Sequence, residues 1–437
     1  MISAPKAVIP LAAADPVAVL AAFADDPFAL LLESGGRYSY LCVRPRTILT
    51  ATAWDDSKPF ARLAQALGPR GPAQPGLPPF QGGAAGLLGY DLAHHLERLP
   101  RHQPDALGLP DMAIGLFDAV LAWDHSEGKA FALGEAGLAA DLAKIAESAP
   151  PLPPLDWTST AKFSADWTVE QYHRQARRVI DYIFAGDIFQ ANLSQRFSAA
   201  RPKNLTSLML YRRLRQLTPA PFGAYLALGS SAVLSASPER FLKLTPDGQV
   251  ESRPIKGTRG RGLTAEQDHQ LGLALCSAAK DRAENLMIVD LMRNDLSRVC
   301  RPGSVKVPAL CTLERHPTVH HLVSVVTGQL AAGLGPIDLL SAAFPGGSIT
   351  GAPKLRAMEI IAELEPLRRG AYTGSLGWIG FDGAMDSNIA IRTMVMTDQR
   401  IVAQAGGGIT ADSDPAAEYE ETLIKAKAML ASLEGMP

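Results

Sequence analysis

Two stretches near the carboxyl end of the chain decide the fold. They are Gly374-Ser-Leu-Gly-Trp-Ile-Gly-Phe-Asp-Gly383 and, after three intervening residues, Ser387-Asn-Ile-Ala-Ile-Arg-Thr-Met-Val-Met396. Two runs rich in apolar residues flank Asp382-Gly383, a dipeptide that two-residue hairpin turns prefer. The pattern predicts an antiparallel hairpin with strands over residues 374–381 and 387–396. A further apolar run at 401–405 predicts that the chain continues as an antiparallel meander.

Helical periodicity is found in other parts of the chain. Thr168 and Gln171 form a capping-box pattern at the start of an amphipathic segment that Gly186 ends. Further helices are predicted over residues 265–298, 352–363 and 415–433. Because strands and helices occupy separate runs, the sequence predicts an α+β protein.

Composition excludes several classes of function. The 437 residues include 42 Lys and Arg against 44 Asp and Glu, a net charge of −2, and no basic block marks a nucleic-acid surface. The uncharged run at 216–238 is long enough to span a membrane, but its three prolines and two glycines indicate paired strands. The four cysteines lack CxxC or zinc-type spacing, which is typical of reduced thiols. We therefore expect a cytoplasmic protein without a nucleic-acid or membrane partner.

A proline-rich stretch, Ala149-Pro-Pro-Leu-Pro-Pro-Leu-Asp156, marks a change in composition and cannot continue a helix. We interpret it as a linker. It divides an amino-terminal region, residues 1–150, from a region at 160–435 that holds almost all of the candidate chemistry.

The first candidate pair is Glu239 and Lys256. Pro246-Asp-Gly248 is a turn tripeptide between two apolar runs, and the two residues lie nearly symmetrically about it. In a regular antiparallel ladder their Cα atoms would be about 5 Å apart. The pair is either an ordinary cross-strand ion pair, worth less than about 1 kcal/mol, or an amine and a carboxylate that share one site.

The neighbours of Lys256 favour the second reading. Arg253, Arg259 and Arg261 are close in sequence, and nearby cations disfavour the charged form of an amine. A neutral lysine near pH 7 is nucleophilic.

The second candidate set is acidic. Glu418, Glu421 and Lys425 form one stripe on the last predicted helix, and Glu284 lies on another helix. Two or three carboxylates can supply the oxygen ligands that Mg²⁺ takes together with water and substrate oxygens. The alternative is a plain salt bridge between Glu421 and Lys425, four residues apart.

The remaining candidates suit an anionic ligand. The glycine-rich runs Pro345-Gly-Gly-Ser-Ile-Thr-Gly-Ala-Pro353 and Ala405-Gly-Gly-Gly-Ile409 either expose backbone N–H groups to an anion or are simply tight turns. Arg392, among apolar neighbours, either captures a carboxylate in bidentate fashion or is a paired structural arginine. His321 is either a proton donor or a buried histidine with satisfied hydrogen bonds.

Taken together, the motifs resemble those of the chorismate-utilising enzymes and follow the family's order. They are Gly186-Asp-Ile-Phe-Gln190, Ser237-Pro-Glu-Arg-Phe241, Arg253-Pro-Ile-Lys-Gly-Thr258, Glu284-Asn-Leu-Met-Ile-Val-Asp-Leu-Met-Arg-Asn-Asp295, Phe344-Pro-Gly-Gly-Ser-Ile-Thr-Gly-Ala-Pro-Lys354 and Ala405-Gly-Gly-Gly-Ile409. The resemblance implies an anthranilate synthase component I-like fold, in which antiparallel sheets pack as a sandwich with helices outside.

The resemblance also implies an activity. Lys256 matches the branch that aminates chorismate at C4 to give 4-amino-4-deoxychorismate, on the route to 4-aminobenzoate and folate. The anthranilate-forming branch usually has alanine at that position, and the water-using branch has a lysine in place of Gln190. Two alternatives remain: an anthranilate-forming enzyme, and a non-catalytic subunit that binds chorismate or tryptophan.

Site roles are implied residue by residue. Lys256 would add to chorismate, Glu239 would be the general acid and base, and His321 would assist with less certainty. Glu284 and Glu421 would hold Mg²⁺ with Glu418 close by. The expected substrate-binding residues are Tyr372, Thr350, Gly351, Arg392, Gly406, Gly407, Gly408 and Lys425.

Two further partners are implied. The chain has no cysteine-centred glutaminase motif, so the resemblance implies a separate glutamine amidotransferase subunit as the ammonia donor. Leu30-Leu-Leu-Glu-Ser-Gly35 resembles the segment that lines a tryptophan pocket in anthranilate synthases. Glu33 and Ser34 are therefore candidate tryptophan contacts.

Overall fold

A computed structural model of the chain describes residues 6–12, 14–24, 26–101, 107–157, 159–316 and 319–434. The strands of this part of the chain are β1 (Lys6–Leu11), β2 (Phe28–Ser34), β3 (Tyr38–Val43), β4 (Thr47–Ala51), β5 (Gly83–Leu88), β6 (Met112–Phe117), β7 (Ala119–Asp124), β8 (Lys129–Glu135), β9 (Ser164–Ala165), β10 (Gln190–Ala200), β11 (Phe222–Leu228), β12 (Ser231–Ser237), β13 (Arg240–Leu244), β14 (Gln249–Ser252), β15 (Ile255–Gly260), β16 (Lys306–Arg315), β17 (Val319–Gln329), β18 (Gly351–Ala352), β19 (Ser375–Gly380), β20 (Met385–Asn388), β21 (Thr393–Met396) and β22 (Arg400–Ile409).

The α-helices are α1 (Pro16–Ala21), α2 (Pro59–Leu67), α3 (Ala136–Glu147), α4 (Val169–Phe184), α5 (Ser207–Leu217), α6 (Ala265–Ser277), α7 (Ala279–Ser297), α8 (Pro336–Ala343), α9 (Lys354–Leu364) and α10 (Pro415–Ala431), and short 3₁₀ helices cover Tyr90–His95 and Gly347–Ile349. The capping box predicted for α4 is present: Thr168 accepts from the Gln171 N–H, and the Gln171 side chain accepts from the Thr168 N–H. None of the described helices combines the length and apolarity of a membrane span.

Two antiparallel sheets form the body of the protein. Sheet I has the order β1-β8-β7-β3-β2-β11-β12-β21-β22-β10-β18, with β9 beside β10. Sheet II has the order β15-β17-β14-β13-β20-β19-β5-β6-β4, with β16 beside β17. Strands from both sides of the proline-rich stretch are neighbours in each sheet, through β2 with β11 and through β5 with β19. The division near residue 150 stays a prediction about the sequence.

Alternating side chains place the sheets face to face. Along β2, Phe28, Leu30 and Leu32 enter a core shared with Leu87 and Trp378 of sheet II. Ala29 and Leu31 of the same strand face the opposite way, into a core that helices α1, α3, α5 and α10 complete. A third core lies between sheet II and helices α2, α7, α8 and α9. The predicted α+β sandwich with helices outside is confirmed.

The hairpin that decided the fold forms with one difference. Trp378 pairs with Asp386 across the Asp382-Gly383 turn, as predicted. The predicted second strand, however, divides into β20 and β21, which belong to different sheets. Residues 389–392 carry the chain across, and Arg392 adopts φ +50° there. Alternation of apolar residues cannot reveal such a crossing, because both halves are buried strands.

Two other predictions are adjusted. The helix expected over residues 265–298 is two helices, α6 and α7, because Ala278 between them has an extended conformation with ψ 105°. The uncharged run at 216–238 forms paired strands, β11 and β12, as predicted. All four cysteines are free thiols, also as predicted.

Candidate active site

Glu239 lies where the chain crosses from sheet I to sheet II. Residues 238 and 239 join β12 to β13, and the crossing at 389–392 runs beside them, since the Ile389 N–H donates to the Glu239 carbonyl at 3.1 Å. The side chain of Glu239 is 5% exposed. Burial raises the pKa of its carboxyl to about 7, although the Ser348 hydroxyl and the Lys256 amine partly oppose that rise.

Lys256 reaches the same place from β15. The hairpin of β13 and β14 forms about the predicted turn, with Lys243 opposite Glu251. Lys256 itself lies beyond it, on a strand that pairs with β17. Its Nζ donates to the Ser348 carbonyl at 3.1 Å, so the same residue contacts both members of the pair. An amine and a carboxylate therefore meet at Ser348, but not across the regular ladder that the turn symmetry predicted, because Lys256 belongs to a strand that pairs with β17.

Burial is the main reason that the pKa of Lys256 is lowered, and the Lys425 ammonium lowers it further. Glu284, Glu239 and Glu421 act in the opposite direction. The prediction that neighbouring arginines depress this pKa is wrong. Each of those arginines is held by its own carboxylate: Arg253 by Glu314, Arg259 by Asp281 at 3.0 Å and Arg261 by Asp268 at 2.6 Å.

Three glutamates converge beside this pair from two helices. Glu284 lies on α7, while Glu418 and Glu421 lie on α10. The proximity of the other two carboxylates raises the pKa of Glu284, in addition to the larger effect of its burial. A Cβ atom at Gly407 would lie 3.0 Å from Glu418 Oε2 and 3.1 Å from Glu421 Oε1. The absence of a side chain at Gly407 therefore leaves room in front of two carboxylates.

Lysines balance these acids. Lys280 lies 3.2 Å from Glu418, and Lys425 lies 2.6 Å from Glu421. The i, i+4 salt bridge considered for Glu421 thus exists, yet the same lysine also donates to the Gly406 carbonyl at 3.0 Å.

The acid set fits a hard cation that takes few protein ligands. Within the described ranges, no group of three or more His, Cys, Asp or Glu side chains is close enough to form a metal site alone. Two carboxylates converging over Gly407, with a third nearby, match the small protein share of a typical Mg²⁺ site, which water and substrate oxygens complete.

Both glycine-rich runs pair with strand β10, the first through β18 and the second through β22. Gly351 pairs with Ala191, and its own backbone has φ +154°. A side chain at Gly351 would overlap the Gln190 carbonyl. A side chain at Gly408 would overlap the Gln190 amide. Thr350 is fully buried, and its hydroxyl donates to the Gly346 carbonyl at 3.1 Å. In both runs the absence of a side chain therefore lets the backbone approach Gln190 of β10 closely.

Arg392, His321 and Tyr372 complete the candidate residues. In the part of the chain that the structure describes, the Arg392 guanidinium has no hydrogen-bond or ion-pair partner, and burial lowers its pKa. It is therefore available to a ligand carboxylate.

Burial and the nearby His316 and Arg392 lower the pKa of His321 to about 4, so His321 is neutral near pH 7. Its Nδ1 lies 2.9 Å from the Thr258 hydroxyl, and Tyr372 is buried.

Comparisons with known proteins identify the family of this chain. A family model described as chorismate binding enzyme matches residues 3–431. The chain belongs to the chorismate-binding enzyme family. Aminodeoxychorismate synthase component 1 from Escherichia coli K12 is 49% identical over 356 residues, which cover 82% of this chain and 78% of the relative. Anthranilate synthase component 1 from Thermus thermophilus is 44% identical over 369 residues, which cover 82% and 79%.

A solved structure supports the fold of this chorismate-binding chain. Anthranilate synthase component I from Streptococcus pneumoniae superposes with a TM-score of 0.81 and 34% identity, covering 90% of this chain and 92% of that one. The family and the fold predicted from the motifs are confirmed.

Three features of the candidate active site were not predicted from the sequence. Ser348, which contacts both Glu239 and Lys256, lies inside the glycine-rich motif but was not singled out. Lys280 precedes Glu284 by four residues, so the two side chains lie on one face of α7. This spacing is the sequence signal from which Lys280 could have been predicted as a neighbour of Glu284. The polar face of β10, which carries Gln190, Asn192, Ser194 and Arg196, is buried.

The two candidate tryptophan contacts are engaged with other side chains. Glu33 accepts from Arg215 at 2.7 Å, and Ser34 donates to Asp386 at 2.5 Å. In the described structure neither side chain contacts Lys256 or the three glutamates. Their role in binding tryptophan stays a prediction.

Proposed function

We propose that this chain converts chorismate and ammonia to 4-amino-4-deoxychorismate, with Lys256 as nucleophile, Glu239 as general acid and base, and Mg²⁺ as cofactor. The observation that carries the proposal is the pairing of a partly buried amine of lowered pKa with a buried carboxyl whose pKa is about 7. These are the protonation properties that a neutral nucleophile and a proton-donating acid need near neutral pH.

In the first step the neutral Lys256 amine forms a bond to C2 of chorismate. The ring double bonds shift, the C4–O bond breaks, and Glu239 protonates the departing hydroxyl to give water. In the second step ammonia attacks C4 and the C2–N bond to Lys256 breaks. The carboxylate of Glu239 then takes the extra proton of the new C4 ammonium group, so both residues return to their starting states.

The charged residues around the pair support this division of labour. Glu284 and Glu421 would hold Mg²⁺, with Glu418 close by, and the bound ion would neutralise a substrate carboxylate. Arg392, which has no partner in the described structure, would bind the other carboxylate together with Tyr372 and the Thr350–Gly351 backbone. The Lys425 ammonium lowers the pKa of Lys256 in addition to the larger effect of burial, which favours the neutral amine.

A glutamine amidotransferase subunit would deliver the ammonia. Relatives named as component 1 support a second component.

Product analysis tests the proposal. The purified chain is incubated with chorismate, Mg²⁺ and ammonium, and the products are identified by mass and fluorescence. We expect 4-amino-4-deoxychorismate. Fluorescent anthranilate as the main product would contradict the assignment, and absence of any product with added amidotransferase would favour a non-catalytic binding subunit.

Intact-protein mass spectrometry tests the nucleophile. Without ammonia, the covalent adduct should add the mass of chorismate less one water to the chain. Lys256→Ala should lose both adduct and turnover, whereas Lys243→Ala, on an exposed position of β13, should keep both. An adduct that survives Lys256→Ala would remove Lys256 from this role.

A further inference from the structure

A buried ion pair lies behind the candidate substrate surface. Arg369 and Glu365 each have a side chain that is 2% exposed. Arg369 Nε donates to Glu365 Oε2 at 2.9 Å, and Nη2 donates to Oε1 at 2.8 Å. The pair is therefore bidentate, a geometry that fixes the plane of both groups.

The guanidinium also joins two separate segments of the chain. Its Nη1 donates to the Ile349 carbonyl at 2.9 Å, immediately before Thr350 and Gly351. Its Nη2 donates to the Asn192 carbonyl at 2.6 Å, near the start of β10. Arg369 therefore fixes the spacing between the glycine-rich segment and the strand beside it.

The same pair supports Tyr372. The guanidinium carbon lies 5.7 Å from the centre of the Tyr372 ring and 4.9 Å from that of Tyr90. Glu365 Oε1 accepts from the Ser194 N–H at 2.9 Å and from its hydroxyl at 2.7 Å. That Ser194 hydroxyl in turn lowers the pKa of Tyr372, which burial raises, so it lies beside the phenol.

A buried ion pair is weak evidence for stability, because desolvation of the two charges offsets most of their attraction. The contacts of this pair point instead to geometry, since they include the carbonyl immediately before Thr350 and the ring of Tyr372, which are both at substrate-binding candidates. We propose that Arg369 and Glu365 are positioning residues that set the surface on which Tyr372 and the Thr350–Gly351 segment receive a carboxylate of chorismate. This inference rests on the proposed function.

Arg369→Lys tests the inference. Lysine keeps the charge but is a point donor that cannot span Glu365 and two carbonyls at once. We expect the dissociation constant of chorismate, measured by calorimetry in a Lys256→Ala background so that no covalent adduct forms, to rise about tenfold. In turnover, KM for chorismate should rise similarly, while KM for ammonium stays unchanged.

A merely structural role would have a different signature, because a smaller folded fraction lowers kcat and leaves both KM values unchanged. The matched control is Arg356→Lys on α9, whose ion pairs with Asp187 and Glu359 contact neither Tyr372 nor Ile349. It should bind chorismate normally.

Unchanged chorismate affinity in folded Arg369→Lys would overturn the inference. If that variant does not fold, Glu365→Gln replaces it, since glutamine keeps an acceptor for Ser194 but loses the charge that orients Arg369. Equal affinity in Glu365→Gln and the parent chain would also overturn the inference. Product analysis tests the proposed function and chorismate affinity tests the positioning pair, so the two fail separately.

Discussion

Replacing Glu239 with glutamine should make the protein more stable above neutral pH while it removes activity. The carboxyl of Glu239 is buried, and its pKa is about 7 against an ordinary 4.5. Between these values the folded protein keeps a proton that the unfolded chain has lost. The unfolded state therefore binds fewer protons, and stability falls as pH rises through this window.

The magnitude follows from the two pKa values. They differ by about 2.5 pH units, and each unit corresponds to about 1.36 kcal/mol, so ionisation of Glu239 costs the folded state about 3 kcal/mol above pH 7. Glutamine has no such cost. Glu239→Gln should unfold like the parent chain near pH 4.5 and should exceed its free energy of unfolding by up to about 3 kcal/mol above pH 7.

Urea denaturation followed by circular dichroism at several pH values between about 5 and 8 measures this difference. Turnover by the variant should fall by about 10²- to 10⁴-fold, because the general acid is lost.

Glu421→Gln is a control in which the change of stability with pH should have the opposite sign. Lys425 helps to lower the pKa of Glu421 despite some burial, so this variant should lose stability at neutral pH and approach the parent as pH falls below 4.5. A stability difference for Glu239→Gln that does not change with pH would refute the reasoning.

Three other variants have distinct expected effects. Gly407→Ala would crowd two carboxylates, so the Mg²⁺ concentration for half-maximal activity should rise about tenfold while urea denaturation changes by less than about 0.5 kcal/mol. Arg368→Met leaves two aspartates buried without their cation and should lower the free energy of unfolding by about 3–5 kcal/mol; an unchanged midpoint would contradict this. Gly351→Ala would place a side chain against a backbone carbonyl of β10, and thermal denaturation should show a loss of about 2–4 kcal/mol.

Local patterns in the sequence predicted those parts of the molecule that local physics decides. The turn at Asp382-Gly383, the capping box at Thr168 and the stripe of Glu418 and Glu421 all depend on residues a few positions apart. The symmetry of Glu239 and Lys256 about their turn predicted that the two residues come close, but not that Lys256 would lie on β15 and pair with β17. The family motifs added the roles of these residues, which spacing alone left open.

Features that depend on distant partners were not predictable in this way. Arg253 is held by Glu314, 61 positions away, and this pairing removes it from the electrostatics of Lys256. The break between β20 and β21 likewise depends on which sheet each half joins, a choice made by β13 and β12. The ion pair of Arg369 with Glu365 became visible only when its contacts to β10 were known.

The charge balance of the site is a further reason for which we propose a divalent cation there. In the protonation state that the proposed mechanism needs, Glu239 is protonated and Lys256 is neutral, so the remaining charges are those of the three glutamates 284, 418 and 421 against Lys280 and Lys425. One negative charge is uncompensated. A dicarboxylate substrate adds two more, and Arg392 offsets only one of the three. Bringing such charges together in a partly buried site is costly unless they are paired. A divalent ion would supply the missing two positive charges, and the binding of substrate and of Mg²⁺ should then be mutually dependent, each tightening the other by the same factor.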